Sequence, residues 1–254
     1  MDDVERVQHY YRERARRLYE TVATGPFDCF FHPSDPQIYF NYAIPRSAVG
    51  GDVSGAMTLL RDEFARRGRQ PRFEFVERFA PGLAARLTAS GFREESHLHV
   101  MSCTQESYLA PGPVEGLTLL KLDSRSSLAD VTEFLATRTT AFTEIETQSV
   151  DRGDIEHFYA TVDTARPYLA RLHGRPVAVG HYSVPVDGVG EIAGIATVPQ
   201  ARFQGIGGVV TGRLATETFA EGARIAILSV VGERTGRIYE RVGFSAFTRM
   251  FAFS

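Results

Sequence analysis

The residues with the clearest chemical potential form a glycine-rich stretch at positions 202–208, RFQGIGG. The stretch stands between a strand-like run at 191–198 and a helix-like run at 209–220. A glycine turn that opens a helix gathers unpaired backbone N–H groups at the positive end of the helix dipole, where they favour an anion. The stretch therefore predicts a phosphate site, and a tight turn that binds no ligand is the alternative.

Two common phosphate-binding motifs do not fit this stretch. The dinucleotide fingerprint needs a third glycine three residues after Gly207, where the chain has Val210. The Walker A motif needs a Lys-Ser/Thr pair after the glycines, but Lys121 is the only lysine of the chain. The chain also lacks the G-x-S-x-G motif of a serine nucleophile.

The segment after the glycine stretch narrows the interpretation. An apolar run at 223–231 predicts a strand, residues 233–241 predict a short helix, and Gly243 marks the end of that helix. At this point the sequence resembles the GNAT superfamily of acyl-CoA-dependent N-acyltransferases. The resemblance lies in the R-x-x-G-x-G loop that starts at Arg202 and in a tyrosine, Tyr239, shortly before a Gly-Phe pair.

The resemblance implies acetyl-CoA as cosubstrate, with its pyrophosphate on the glycine loop and its pantetheine arm on main-chain groups of Val198. It implies no metal. The cofactor-binding residues expected in the loop are Arg202, Phe203, Gln204, Gly205, Ile206, Gly207 and Gly208.

A base and an acid are also implied by the resemblance. Glu191 stands eleven residues before Arg202, the spacing of the glutamate base in the histone-acetylating branch of the superfamily. An ammonium group must lose a proton before it attacks a thioester, and a carboxylate accepts that proton directly or through water. Tyr239 matches the family's general acid, which protonates the departing thiolate. The alternatives are a solvated glutamate at a strand end and a tyrosine packed beside Phe244.

The predicted elements from residue 117 onward follow the order β-α-α-β-β-β-α-β-α-β. The resemblance implies this order for a complete acyltransferase domain, at residues 117–254. Residues 109–116 contain the prolines and glycine of a linker, which leaves residues 1–108 as a separate domain. The expected fold class is α/β, with mixed sheets in two tandem GNAT-like folds.

The first half of the chain echoes the second. Residues 72–101 repeat the predicted order of residues 226–253, including a Gly-Phe pair. Four residues before that pair the first half has Leu87, which has no proton to donate, and its glycine loop has Asp52 where an anion would bind. A carboxylate there repels phosphate. We therefore predict that the N-terminal GNAT-like domain is degenerate and binds no coenzyme A.

The acceptor site is less strongly indicated. Acids cluster between the two helices that follow the first strand of the second half: Glu144, Glu146, Asp151, Asp154 and Glu156. They would attract a cationic amine, or else they complement helix dipoles. His181 and Tyr182, on a strand near the expected cleft, are further candidates for substrate contact.

Composition limits the partners and the compartment. A formal net charge of −3 gives no basic domain for nucleic acid, so no nucleic-acid partner is expected. Cys29 and Cys103 have no metal or redox spacing and indicate buried thiols in a reduced compartment. No apolar stretch approaches the ~20 residues of a membrane span, and no signal peptide is evident, so we expect a cytoplasmic protein with no membrane partner.

Together these observations predict an N-acetyltransferase that moves the acetyl group of acetyl-CoA directly to a primary amine of a small molecule or peptide. The chain is expected to act as a monomer or homodimer. The competing hypothesis is a non-catalytic acyl-CoA-binding or partner-binding pseudoenzyme, because the family's asparagine seven residues before the tyrosine is replaced by Gly232.

Overall fold

A computed structural model describes residues 1–51, 53–147 and 149–254, and for residues 233–235 it describes the backbone only. The helices are α1 Asp3–Leu18, α2 Ser54–Arg66, α3 Leu83–Ala89, α4 Leu128–Thr143, α5 Arg152–Ala165, α6 Ile206–Ala220 and α7 Glu233–Glu240. The strands are β1 Glu20–Thr24, β2 Phe27–Phe31, β3 Asn41–Pro45, β4 Phe73–Val76, β5 Glu94–Thr104, β6 Leu117–Lys121, β7 Pro167–Leu172, β8 Arg175–Tyr182, β9 Val189–Thr197, β10 Ile225–Val230 and β11 Ser245–Phe253. None of the described helices is long and apolar enough to cross a membrane.

The chain divides into two compact units. One comprises residues 1–100, 230–232 and 246–254, and the other comprises residues 101–229 and 233–245. This division differs from the predicted boundaries, because the last strand, β11, pairs antiparallel with β4 in the first unit. Sequence order alone placed that strand with the second half.

The predicted linker at 109–116 is packed within the second unit. The Leu109 N–H donates to the Val242 carbonyl oxygen at 3.0 Å. A Cβ on Gly212 of α6 would come within 2.6 Å of the Pro111 ring, so this part of the chain lies directly on the helix. The prolines and the glycine therefore mark a fixed covering segment.

In the first unit, an antiparallel meander of β1, β2 and β3 continues through parallel β4 to antiparallel β11. Helices α2 and α3 cover the sheet with fully buried side chains that include Leu60, Phe64 and Leu87. These meet strand residues such as Phe27 and Phe73, whose rings lie 5.3 Å apart edge to face. This apolar cluster gives the first unit a core of its own.

In the second unit, β6, β7, β8 and β9 form an antiparallel series, and β10 runs parallel to β9. Helices α4 and α5 pack on one face, where Phe134 and Phe158 join the strand residue Val179. Helix α6 packs on the other face, where a Cβ on Gly180 would come within 2.8 Å of Leu214. The strand residues therefore alternate between the α4–α5 face and the α6 face.

The element order from β6 to β11 is the predicted one, and the fold class is confirmed. Both predicted hairpins are present, with positive φ at both central residues, as their tight turns require: +48° and +79° at His173-Gly174, and +48° and +81° at Asp187-Gly188. One boundary was wrong, since α6 begins at Ile206 and takes two glycines into its first turn. Glycine lowers helix propensity, and this hid the start of the helix.

The predicted internal repeat between the first and second halves of the chain also appears in the backbone geometry. The Gly-Phe pairs have φ values of +89° at Gly91 and +95° at Gly243. The Phe92 N–H donates to the Leu87 carbonyl oxygen at 3.0 Å, and the phenylalanine after Gly243 makes the same bond to Tyr239 at 3.1 Å. The structure thus supports the internal repeat in this segment. The predicted repulsive carboxylate, Asp52, lies outside the described residues.

Candidate functional site

A gap opens beside β9 in the second unit. Strands β9 and β10 pair over three residues, from Val189 with Ile225 to Glu191 with Ile227. Strand β9 nevertheless continues to Thr197 and β10 to Val230. Within the described part of this unit the two strands therefore separate beyond Glu191, and the far end of β9 has an edge that a ligand can meet.

One extra residue, Gly194, controls which groups line that edge. The pairing of β8 with β9 joins His181 to Ala193 and then shifts to join Val179 to Ala196. Gly194 sits at the shift with φ +63°, as a bulge residue with left-handed backbone does. The bulge thus changes which residues of β9 bond to β8.

Before the bulge, odd-numbered residues of β9 bond to β8, as the Glu191 carbonyl oxygen does at 2.8 Å. After it, even-numbered residues do so, and the Val198 N–H donates to the Val177 carbonyl oxygen at 2.9 Å. The main-chain groups of Ile195 and Thr197 then point the other way, because successive residues of a strand alternate. The bulge therefore turns two backbone N–H groups into the gap.

The predicted main-chain role of Val198 is not supported by this arrangement. Its N–H is bonded to Val177 and its carbonyl accepts from the Ala201 N–H at 3.0 Å. The main chain of Thr197, one residue earlier, occupies the position that was expected for the main chain of Val198. Sequence reasoning missed Thr197 because the bulge shifts the alternation by one residue.

A cavity of about 750 Å³ lies at this edge. Its walls are the end of β9, the glycine loop with the start of α6, the last turn of α4 and the end of α7. The lining residues used below are Phe142, Ile195, Thr197, Phe203, Gly205, Ile206, Gly207, Gly208, Ile238 and Tyr239. A Cβ on Gly207 would stand 3.9 Å from Thr197 Oγ1 and 4.0 Å from Ile238 Cγ2, so the cavity is narrow there.

The N-terminus of α6 faces this cavity. Gly205 is the N-cap in the left-handed region, with φ +81°, and no side chain caps the helix. The first N–H bonded within the helix is that of Val209, which donates to Gly205. The N–H groups of Ile206, Gly207 and Gly208 precede it and have no intrahelical acceptor. These are the donors that the sequence predicted for an anion.

Arg202 does not aim its charge at this cradle. Its Nε donates to the Thr197 carbonyl oxygen at 3.0 Å and its Nη2 to the Ala141 carbonyl oxygen at 3.1 Å. Its Nη1 bonds to Glu144 at 2.6 Å. The guanidinium thus ties the loop to α4 and fixes the carbonyl of Thr197. Glu144, predicted to attract an amine, is the partner of this arginine instead.

The two residues after Arg202 are both exposed. Phe203 has φ +65° and is 104% exposed at the mouth of the cavity. The Gln204 amide lies 3.5 Å from the Gln200 carbonyl oxygen and is directed along the loop. Among the seven predicted loop residues, Gln204 alone is not part of the cavity wall.

Tyr239 lies in the cavity wall. Its ring packs edge to face on Phe244, with centroids 6.5 Å apart. Burial raises the pKa of its hydroxyl above the ordinary value. The hydroxyl therefore stays protonated at neutral pH, as a proton donor must.

Glu191 lies on β9 outside the cavity wall. The register pairs it with Ser183, whose Oγ accepts from the Glu191 N–H at 3.0 Å. Cross-strand partners share a face, so Glu191 lies on the α4–α5 face together with His181. The two are diagonal neighbours, with Cα atoms about 7–8 Å apart. A Cβ on Gly194 would come within 2.7 Å of His181 Nδ1, so the imidazole covers the bulge.

Tyr182 belongs to a different environment. It is fully buried on the α6 face, where its hydroxyl accepts from Lys121 Nζ at 2.9 Å and donates to Glu221 at 2.7 Å. This environment does not favour the predicted contact with substrate, because strand alternation puts Tyr182 on the face opposite His181 and its hydroxyl is bonded to Lys121 and Glu221. Sequence adjacency concealed this difference.

The remaining predicted acid, Glu146, borders a second cavity of about 460 Å³ along α4. Val198 also borders this second cavity. Arg152 pairs with Glu156 at 2.7 Å on α5. Glu144, Glu146 and Glu156, three of the five predicted acids, therefore have different surroundings. Within the described ranges, no three His, Cys, Asp or Glu side chains gather as metal ligands.

Comparison with known proteins connects this site to a family. Residues 131–244 match the family model described as the acetyltransferase (GNAT) family. No curated protein sequence matches the chain.

Solved structures show the same fold over nearly the whole chain. A GCN5-related N-acetyltransferase from Kribbella flavida is 23% identical, with a TM-score of 0.80, and the match covers 100% of this chain and 95% of that one. A GCN5-related N-acetyltransferase from Sphaerobacter thermophilus is 18% identical at a TM-score of 0.63, covering 95% and 84% of the two chains. A tandem GNAT protein from the clavulanic acid biosynthesis pathway is 12% identical at a TM-score of 0.61, and the match covers 89% of this chain and 77% of that one.

Proposed function

We propose that this chain, whose residues 131–244 match the model of the acetyltransferase (GNAT) family, transfers the acetyl group of acetyl-CoA to a primary amine of a small molecule or peptide. The observation that carries the proposal is the uncapped N-terminus of α6, which opens onto the cavity beside β9. A pyrophosphate matches the donors of that helix end, and an extended thioester arm matches the narrow gap.

In this proposal the pyrophosphate accepts hydrogen bonds from the N–H groups of Ile206, Gly207 and Gly208. The pantetheine arm lies along the edge of β9 and bonds to the main chain of Thr197. Arg202 contributes indirectly, because it holds the Thr197 carbonyl and so fixes the direction of the neighbouring N–H groups.

The reaction is a direct displacement. The amine nitrogen attacks the thioester carbonyl carbon, a C–N bond forms, and the C–S bond breaks. The Ile195 N–H, which the bulge turns into the gap, stabilises the negative charge that develops on the carbonyl oxygen. Tyr239 donates its proton to the departing sulfur, and its raised pKa keeps that proton available. The attacking nitrogen loses one further proton as the amide forms, and this proton passes through water to the Tyr239 phenolate and restores the hydroxyl. No covalent enzyme intermediate and no metal are needed.

Glu191 is the proposed base, and His181 links it to the reacting atoms. Ile195 lies four positions after Glu191, up to about 13 Å along the strand, which is too far for direct contact between Glu191 and an amine at that position. His181 stands diagonal to Glu191 with its ring over Gly194, next to Ile195. A proton that leaves the ammonium group therefore passes through the imidazole or an adjacent water to the carboxylate.

The first test is calorimetric titration of acetyl-CoA into the protein, followed by a thiol-release assay with a panel of primary amines. We expect one site per chain and amine-dependent release of coenzyme A. Absence of binding would refute the proposal. Binding without release across the panel would favour the non-catalytic acyl-CoA-binding alternative.

The base is tested by Glu191→Gln and His181→Asn. With a reactive amine identified, we expect Glu191→Gln to lower kcat about 10²–10⁴-fold, the contribution typical of a general base. Affinity of Glu191→Gln for acetyl-CoA should stay the same, because Glu191 lies outside the cavity wall. Glu240→Gln, on the exposed surface of α7, is the matched control. Unchanged kcat in Glu191→Gln would exclude the carboxylate as the base.

A further inference from the structure

Phe203 combines two features that oppose stability in the free protein. Its φ of +65° lies in the left-handed region, which is unfavourable for any residue with a Cβ. Its side chain is 104% exposed, so no burial offsets that cost. Strain of this kind persists when the surroundings impose it, and it concentrates at ligand sites.

The neighbouring residues fix the backbone conformation of Phe203, but they do not require an aromatic side chain there. On one side, three hydrogen bonds of the Arg202 guanidinium hold the chain to β9 and α4. Two residues later, Gly205 takes φ +81° to cap α6. The loop thus fixes a left-handed residue at 203, where glycine would fit without strain. Because glycine would suit this backbone better than phenylalanine, the presence of Phe203 indicates that its ring has a function.

The other non-glycine residues with positive φ in the described chain are polar. Glu144 pairs with Arg202 and Arg166 pairs with Glu221, while His173 and Asp187 start the two hairpin turns. Phe203 is the apolar member of this group. Its ring also lies in the wall of the 750 Å³ cavity, at its mouth.

Phe203 therefore stands three residues before the first of the donors at residues 206–208, on the same loop and in the same cavity wall. If a pyrophosphate occupies those donors with pantetheine in the cavity, the adenosine on the other side of the pyrophosphate extends outward past the loop. An exposed aromatic ring at that point offers a flat face to a purine, and aromatic stacking on a nucleobase is favourable.

We propose that the adenine of coenzyme A stacks on Phe203. This inference rests on the function proposed above, and it assigns that site a specific contact for the nucleotide end of the donor. Burial of the ring by adenine removes apolar surface from water, which compensates for the strained backbone only in the complex.

The test compares two ligands that differ in the nucleotide. Coenzyme A carries the adenosine, whereas 4′-phosphopantetheine keeps a phosphate and the arm but has no base. Each is titrated by calorimetry into the wild type, Phe203→Gly and Phe203→Asn. Glycine and asparagine both tolerate the left-handed backbone, and asparagine does so with less added loop flexibility than glycine. Thermal unfolding verifies that the variants are folded, which we expect because the side chain touches no core residue.

We expect both variants to weaken coenzyme A binding at least about fivefold, the lower end of base–aromatic stacking, and to leave 4′-phosphopantetheine unchanged. Phe203→Trp should bind coenzyme A at least as tightly as the wild type. Equal loss for both ligands would overturn the inference, because the ring would then act through the loop. Unchanged coenzyme A affinity in a binding-competent wild type would also overturn it. A wild type that binds no coenzyme A would refute the proposed function itself.

Discussion

The narrowest point of the cavity gives the sharpest test of where the donor binds. Gly207 lies in the first turn of α6, and a Cβ there would already contact Thr197 Oγ1 at 3.9 Å and Ile238 Cγ2 at 4.0 Å. A methyl group fits at these distances, so Gly207→Ala is accommodated. Because Gly207 lines the cavity, we expect the longer side chain of Gly207→Gln to occupy space that the donor would otherwise fill.

The two substitutions should raise stability but differ in binding. Replacing a helical glycine by alanine or glutamine favours the helix by about 0.5–1 kcal/mol, which raises Tm by about 2 °C. In Gly207→Gln the side chain displaces the pyrophosphate from the helix end. If two hydrogen bonds to a charged group are lost at about 1.5–3 kcal/mol each, Kd for coenzyme A rises about 10²–10⁴-fold.

Calorimetry with coenzyme A and thermal unfolding together measure both effects. Gly208→Gln is the matched control, because a Cβ at that position meets no atom within 4 Å. We expect it to share the gain in Tm and to bind coenzyme A much more tightly than Gly207→Gln does. If Gly207→Gln is folded and binds coenzyme A as the wild type does, the donor does not pass between β9 and α7, and the assignment of the cavity is wrong.

Three further substitutions test other parts of the molecule. Tyr239→Phe should lower kcat with unchanged acetyl-CoA affinity. In the wild type the alkaline fall in rate due to this acid should be centred above pH ~10, because burial raises the pKa of Tyr239. An unchanged kcat in Tyr239→Phe would contradict this role. Tyr182→Phe removes the hydroxyl between Lys121 and Glu221 and should lower the free energy of unfolding by about 1–3 kcal/mol. If this variant instead keeps its stability and changes its affinity for acetyl-CoA, Tyr182 acts in the binding site. Gly243→Ala should lower the free energy of unfolding by about 3 kcal/mol or more, because φ at Gly243 is +95° and the added Cβ overlaps a backbone carbonyl oxygen. Gly91→Ala is the comparison: φ is +89° but the Cβ meets open space, so the loss should be about 1–2 kcal/mol. Equal losses in urea unfolding would refute the steric argument.

The glycine loop was predictable because its chemistry is local. A strand, a glycine turn and a helix adjoin in sequence, so a group of unpaired N–H donors within the loop 202–208 follows from the order of residues alone. The position of Tyr239 relative to the Gly-Phe pair is local in the same sense. Neither prediction required knowledge of the sheet.

The pairing of Arg202 with Glu144 was not predictable, because 58 residues separate them in sequence. Arg202 was expected to bind the donor and Glu144 to attract the amine. Because α4 packs against the end of β9, the two side chains form an ion pair instead. Likewise, the two neighbours His181 and Tyr182 looked equivalent in sequence, yet the sheet placed one near the bulge and the other in a buried network.

The sequence by itself determined the class of fold, the order of its elements and the glycine turn that opens α6, since these depend on periodicity and on neighbouring residues. The tertiary structure alone decided which main-chain groups line the gap beside β9. That outcome depends on the register between β8 and β9, and a single bulge residue, Gly194, turns the main chain of Thr197, and not that of Val198, towards the gap. Register is set by contacts across the sheet, which no short stretch of sequence contains.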